Sequence, residues 1–213
     1  MEVINDNGQK FRGKMGNLIY YTMNGRTFTR RASIPGKERK PQTEKQRGMS
    51  KRFGMVQKMY SFYMNKISPD IWRLAAKALG KRAHNLFYSE NCGCFDGEGQ
   101  MAAPEMFHFA AGELLLPRNI QVEASGDGCF RVTWTEEREL ATAAADDELR
   151  VGVIYDSALL GLTWANTMEG QRGEGRGTFS LDTDKETGAH VYLFFARKDG
   201  SAYSPSWHAH VSL

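Results

Sequence analysis

The first clear pattern along the chain is a pair of β-prone runs, Leu18-Ile-Tyr-Tyr-Thr-Met23 and Arg26-Thr-Phe-Thr-Arg-Arg31, separated by Asn24-Gly25. An Asn-Gly pair between such runs favours a two-residue hairpin turn, because both turn residues need positive φ. That loop fixes the register: Met23 opposite Arg26, Thr22 opposite Thr27, Tyr21 opposite Phe28. One face then carries Ile19, Tyr21, Met23, Phe28 and Arg30, and the other Leu18, Tyr20, Thr27, Thr29 and Arg31. Apolar residues fall on both faces, so the ribbon needs a partner; an isolated hairpin is marginal in water. Gly13 and Gly16 mark a bend before the first strand.

A basic, punctuated stretch from Ile34 to Pro41 reads as an extended connector. Thr43 with Gln46 forms a capping-box signature. Beyond it Met49, Phe53, Val56, Tyr60, Tyr63 and Ile67 recur at intervals of four and three, which makes one amphipathic stripe. Arg47, Lys51 and Lys58 land opposite that stripe, and Lys45 and Arg52 flank it. Ser68-Pro69-Asp70 is a second helix start, with an apolar set of Ile71, Trp72, Leu74, Ala75, Ala78 and Leu79 and a stop at Gly80. The two helices form a helical hairpin. Residues 91–100, rich in glycine, read as an exposed loop, and Phe107–Leu116 as a strand, a turn at Gly112 and a second strand bridging the two halves.

From Pro117 onward short β-prone runs recur at regular spacing: 117–124, 129–135 with Trp134, 149–155, 178–182, 191–196 and a last one ending at Leu213. Such spacing predicts a seven-stranded Greek-key sandwich from about Leu115. In the run 191–196, Tyr192, Phe194 and Ala196 are expected in its core. Leu193 and Phe195 are then left on an outer face, as a candidate interface covered by another chain or by the helices of the same chain.

Pro117-x-x-Ile120-x-Val122, Val132-Thr-Trp134 and Tyr192-x-Phe194-x-Ala196, with Gly200 and Ser204, resemble a fibronectin type III module. That resemblance implies a sandwich with Trp134 and Tyr192 in its core. The chain departs from the family pattern at Glu136–Glu139 and the alanine-rich run after it. Gly13-Lys-Met-Gly-Asn-Leu-Ile-Tyr-Tyr21, Gly25, Arg30-Arg31 and Pro41-x-Thr43-x-x-Gln46-Arg47 resemble a family of uncharacterised proteins from gut bacteria and their mobile elements. This second resemblance implies a similar architecture, with an immunoglobulin-like sandwich at the end, and no activity. The expected organisation is thus an α+β region over residues 1–114 (β-hairpin plus helical hairpin), followed by an all-β, fibronectin type III-like sandwich over 115–213.

Charge is unevenly spread along this organisation. Residues 1–118 hold 20 of the 28 Lys and Arg but only 10 of the 25 Asp and Glu. A basic half beside an acidic half points to a polyanion such as nucleic acid as partner of the first, or to self-assembly that pairs the two. The candidate polyanion-binding residues are Arg26, Arg30, Arg31, Lys45, Arg47, Lys51, Arg52 and Lys58, interleaved with Tyr20, Tyr21 and Phe28 that offer stacking surfaces. The competing reading is an assembly or scaffold component, virion-associated or from a mobile element, with a protein partner or a second copy of the chain on the sandwich.

Catalytic signatures do not emerge. The sequence has no phosphate-binding loop, no His-Glu-x-x-His and no Gly-x-Ser-x-Gly. The glycines from Gly170 to Gly177 fall where a sandwich loop belongs. Cys92-Gly-Cys94 with His84 or His108 lacks the two-residue spacing of a zinc site. His208 and His210 share a strand face with nothing evident to join them. The expectation is a non-enzymatic binding or structural protein without cofactor or metal. Lacking a leader-like start or membrane-length apolar run, it is expected in the cytoplasm or a virion and away from membranes.

Overall fold

The computed structural model of the chain describes residues 2–4, 12–23, 25–33, 41–135, 142–184 and 186–213. Among these it has three α-helices and twelve strands in three four-stranded antiparallel sheets, a mixed α+β fold with a large sandwich-like part. The chain divides into two compact units, Met1–Pro41 and Gln42–Leu213. This division falls well before residue 114.

The first unit is a sheet in the order β1 (Glu2–Ile4), β4 (Arg26–Arg31), β3 (Leu18–Met23), β2 (Gly13–Met15). Its β3–β4 register pairs Met23 with Arg26, Thr22 with Thr27 and Tyr21 with Phe28, as the two-residue loop predicts. Gly25 has a φ of +75°, the positive value the turn requires; Asn24 and the connector 34–40 lie outside the described residues. Sequence reasoning missed the two outer strands, which turn the hairpin into a four-stranded sheet.

In the second unit α1 spans Glu44–Lys66. Thr43 caps it: its hydroxyl accepts from the Gln46 amide, and the Gln46 side chain accepts in turn from the Thr43 amide. Val56, Met59 and Tyr63 are buried, whereas Met49 and Phe53 at its start are exposed. The apolar stripe therefore outruns the surface it packs on. α2 (Asp70–Ala78) begins after Ser68, whose hydroxyl accepts from the Asp70 amide, and buries Ile71, Trp72, Ala75 and Ala76. Leu79, assigned to its apolar face, is exposed. Gly80 stops it with φ +62°, and the Lys81 amide closes back on the Ala76 carbonyl. A third helix, α3 (Ala83–Asn91), follows, with Leu86 and Phe87 inward.

Residues 91–100 are more than a surface loop, because Asn91, Cys94 and Phe95 are buried. The Asn91 amide pairs with the backbone of His108, accepting from its N–H at 2.8 Å and donating to its carbonyl at 3.2 Å. Residues 107–116 form no strands. They run as a strap tied to the sheet beneath, the Phe109 amide donating to the Ser206 hydroxyl and the Leu114 amide to the Tyr203 carbonyl.

Two sheets make the sandwich. One has the order β5 (Arg118–Gly126), β6 (Cys129–Thr135), β10 (Arg176–Ser180), β9 (Thr167–Glu169); the other β12 (Trp207–Ser212), β11 (Gly188–Ala196), β7 (Glu148–Tyr155), β8 (Leu162–Trp164). The eight strands, one more than the expected seven, are the six β-prone runs plus two short strands from residues 156–175. Between the sheets lie Phe130, Val132, Trp134, Val151, Val153, Phe179, Val191, Leu193 and Phe195. The Trp134 indole N–H donates to the Arg172 carbonyl at 2.8 Å. Arg172 itself pairs with the buried Asp147 carboxylate and lays its guanidinium over the Phe195 ring. The glycine-rich stretch 170–177 thus carries a structural arginine into the edge of the core.

β11 is where expectation and structure part. Leu193 and Phe195 are each 1 % exposed and face the opposite sheet, with Phe195 edge-on to Trp134 at 5.1 Å. Tyr192 and Phe194, assigned to the sandwich core, are buried on the other face, in a second core shared with Tyr63, Trp72, Phe87, Phe107 and Phe109. The candidate interface at Leu193 and Phe195 is corrected accordingly: it is interior. The sheet's other face is covered by the helices and strap of the same unit. Phe109 sits at the centre of that cover, stacked on Tyr192 (5.7 Å) and packed on Tyr63, Trp164 and Phe194. It lies so close over Gly152 that a Cβ there would come within 2.3 Å of the ring.

Helices and sandwich therefore share apolar burial and are expected to unfold as one. Trp134→Ala and Phe109→Ala should each destabilise by about 3–5 kcal/mol, one from either core. In both variants the helical circular dichroism and the tryptophan fluorescence should be lost at one common, lowered urea midpoint. Two separate transitions would show that the layers fold independently.

Candidate functional site

The basic candidates fall into two groups, one in each compact unit. Arg26, Arg30 and Arg31 belong to the first, and Lys45, Arg47, Lys51, Arg52 and Lys58 to the second. In the first unit, strand pairing places Lys14, Ile19 and Arg30 in one cross-strand row and Tyr21 beside Phe28 in the next. The Tyr21 and Phe28 rings are stacked, 5.7 Å apart and inclined by 22°. Arg26 lies on this face by the period of two, so one sheet face carries three cations around an aromatic pair. Lys14, Arg26 and Arg30 are exposed and the two rings half-buried. Arg31 is on the opposite face, with the buried Thr27 and Thr29. Register, set by the short loop, assembles the face; Lys14 joins it through β2, which sequence reasoning did not see.

In the second unit the first turns of α1 line a groove of about 810 Å³ with Lys45, Arg47, Lys51 and Arg52. Glu44 and Glu98 line it too. Lys51 forms an ion pair with Glu98, and the Arg52 Nε donates to the Asp96 carbonyl. Of these four cations Lys51 is, among the described residues, the one with an acidic partner, and exposed pairs of this kind contribute little to stability. Lys58 is exposed farther along the helix.

A second constellation lies at the end of the sandwich. β11 and β12 pair His190 directly opposite His210, with Tyr192 opposite His208, so three imidazoles share one sheet face. The His190 Nδ1 and His208 Nε2 are 2.8 Å apart. Asp156, just beyond β7, reaches the same face: its Oδ2 lies 2.9 Å from His210 Nε2 and its Oδ1 3.5 Å from His190 Nε2. Burial and the neighbouring His190 lower the His208 pKa to about 4. Burial, then His210, lowers that of His190. The spacing of His208 and His210 was the visible signal; His190 and Asp156 join only through strand register.

The other sequence candidates do not gather into sites. Burial, followed by the charge of Cys92, pushes the Cys94 thiol up to about 12, and among the described residues neither Cys92 nor Cys94 belongs to a cluster of three ligand side chains. His84 packs near Tyr60, and His108 lines a mostly apolar cleft of about 610 Å³ between α2, α3 and the strap. No helix among the described residues is long and apolar enough to cross a membrane. No family model matches the chain, and neither does any curated protein.

The depressed His208 pKa has a signed consequence. In the unfolded chain an imidazole titrates near 6.5, so below that pH the unfolded state binds more protons than the folded one. This contribution to stability is full above about pH 6.5 and is lost progressively as the pH falls toward 4. The urea midpoint is expected to drop between pH 7.5 and 5, and His208→Asn should flatten that slope. An unchanged slope in the variant would place the acid lability elsewhere.

Proposed function

We propose that this is a non-catalytic binding protein whose N-terminal sheet engages single-stranded nucleic acid through its basic, aromatic face. The observation that carries this reading is the stacked Tyr21–Phe28 pair set among Lys14, Arg26 and Arg30 on one face of the first unit. Cations on such a face neutralise phosphates, while the part of the half-buried rings left open accepts stacked bases without regard to their identity. Binding of this kind is strongly salt-dependent and weakly sequence-dependent. Arg47 and Lys45, at the start of α1, offer a secondary contact whose net charge is reduced by Glu44 and Glu98.

The C-terminal part of the second unit we read as a fibronectin type III-like module that serves as the scaffold. The strand orders β5-β6-β10 and β8-β7-β11-β12 support this reading, as does the tryptophan of its second strand between the sheets. Tyr192 departs from it, being committed to the helix-covered face.

The test is fluorescence anisotropy with a single-stranded oligonucleotide at several salt concentrations, on protein stripped of co-purified nucleic acid. Wild-type affinity is expected to fall steeply with salt. Replacing Lys14, Arg26 and Arg30 together by Gln should weaken binding and lower the log–log salt slope by about 2, at roughly 0.7 per phosphate contact. Undetectable or salt-insensitive binding would overturn the proposal, and binding unchanged in the triple variant would move the site off this face.

A further inference from the structure

The strongest unassigned chemistry in the molecule is the cluster of His190, His210 and Asp156. It is the one group of three or more His, Cys, Asp or Glu side chains among the described residues with ligand atoms close enough to share an ion; those atoms lie within 4.8 Å of one another. We propose that it is a binding site for a divalent transition-metal cation, Zn²⁺ by ligand chemistry, held by His190 Nε2, His210 Nε2 and an Asp156 carboxylate oxygen.

Geometry supports the assignment at three points. Zinc–nitrogen and zinc–oxygen bonds of about 2.0–2.1 Å in a tetrahedron place neighbouring ligand atoms about 3.3 Å apart. Asp156 Oδ2 stands 2.9 Å from His210 Nε2 and its Oδ1 3.5 Å from His190 Nε2, so each oxygen lies near that spacing from one imidazole nitrogen. Asp156 and His210 are both partly exposed, which leaves them room to turn toward a shared ion.

The second point is the orientation of His190. A metal-binding imidazole needs its other nitrogen protonated and fixed by an acceptor. His190 Nδ1 is 2.8 Å from His208 Nε2, so a proton on Nδ1 donated to His208 leaves Nε2 free to face the cluster. His208 is thus a positioning residue. Binding replaces the hydrogen bond between His210 Nε2 and Asp156 Oδ2: neutral His210 shifts its one ring proton from Nε2 to Nδ1 through solvent, which frees Nε2 for the cation.

Third, the floor of the cluster admits no side chain. Gly188, opposite Ser212 in the β11–β12 pairing, lies where a Cβ would come within 2.4 Å of Asp156 Oδ2 and 3.1 Å of His210 Nε2. Two histidines and one carboxylate are also the mixed nitrogen and oxygen set that suits zinc, and they leave a fourth position for water.

The experiment is titration of chelator-stripped full-length protein with Zn²⁺ by calorimetry, paired with Co²⁺ as a spectroscopic probe. One equivalent of Zn²⁺ is expected to bind. Co²⁺ should give the visible bands of a four-coordinate nitrogen–oxygen site without the near-ultraviolet thiolate charge-transfer band that Cys92, Cys94 or Cys129 would add. His210→Ala is expected to abolish binding while leaving the circular dichroism spectrum unchanged, since His210 is about half exposed. Gly188→Ala should weaken binding by crowding Asp156. His208→Ala should weaken it less than His210→Ala, and His208→Asn, which keeps an acceptor, should restore part of the loss. Absence of a stoichiometric Zn²⁺ isotherm in the wild type would overturn the proposal, as would a thiolate band with Co²⁺ or full binding in folded His210→Ala.

Discussion

The contact of Phe109 with Gly152 is the constraint on which the second unit turns. A phenyl ring lies flat on a sheet only where the strand beneath has no side chain, and Gly152 supplies that gap in the middle of β7. Through it the strap descends to the sheet, and Tyr63, Trp164, Tyr192 and Phe194 close around the ring. The helices then have a layer of aromatic edges to pack on, and one face of the sandwich is sealed by its own chain. An alanine at 152 would lift the strap and loosen α1, α2 and α3 together.

That sealing also limits where partners can bind. The sheet face over β7 and β11 is unavailable to a second protein along the stretch that the aromatic layer covers. Beyond that layer, the same face emerges as the histidine cluster, and its character changes from apolar to ligand-bearing within two residues, from Tyr192 to His190. The basic sheet of the first unit presents its own chemistry, so the proposed anion-binding and cation-binding surfaces belong to different units.

Local signals were legible in the sequence wherever a few adjacent residues decide the outcome. Asn24-Gly25 sets the hairpin register, Thr43 with Gln46 caps α1, and Gly80 ends α2. The β-prone runs of the sandwich were also visible. Choices that depend on a distant partner were not. Residues 191–196 are apolar throughout, so a period of two cannot say which set faces the opposite sheet and which the helices. Met49 and Phe53 continue a stripe past the end of the surface that could bury them. α3 is short and lacks a side-chain cap, and Asn91 finds its partner only in the strap. Of the candidate sites, the aromatic–basic face could be read from the hairpin. The metal-like cluster needed the pairing of β11 with β12 and the position of Asp156 after β7.

A strand buried on both faces has a consequence for how this chain is made. β11 is nearly all apolar and is translated after the three helices, with more than a hundred residues separating Tyr63 from Phe194. At about 5–20 residues per second, the aromatic face of the helices waits roughly 7–26 seconds for its partner strand to be made. Trp72, Phe87 and Phe107, buried in the finished fold, lack that strand until then. The packing of the helices against the sheet is therefore completed only after the last third of the chain has been made.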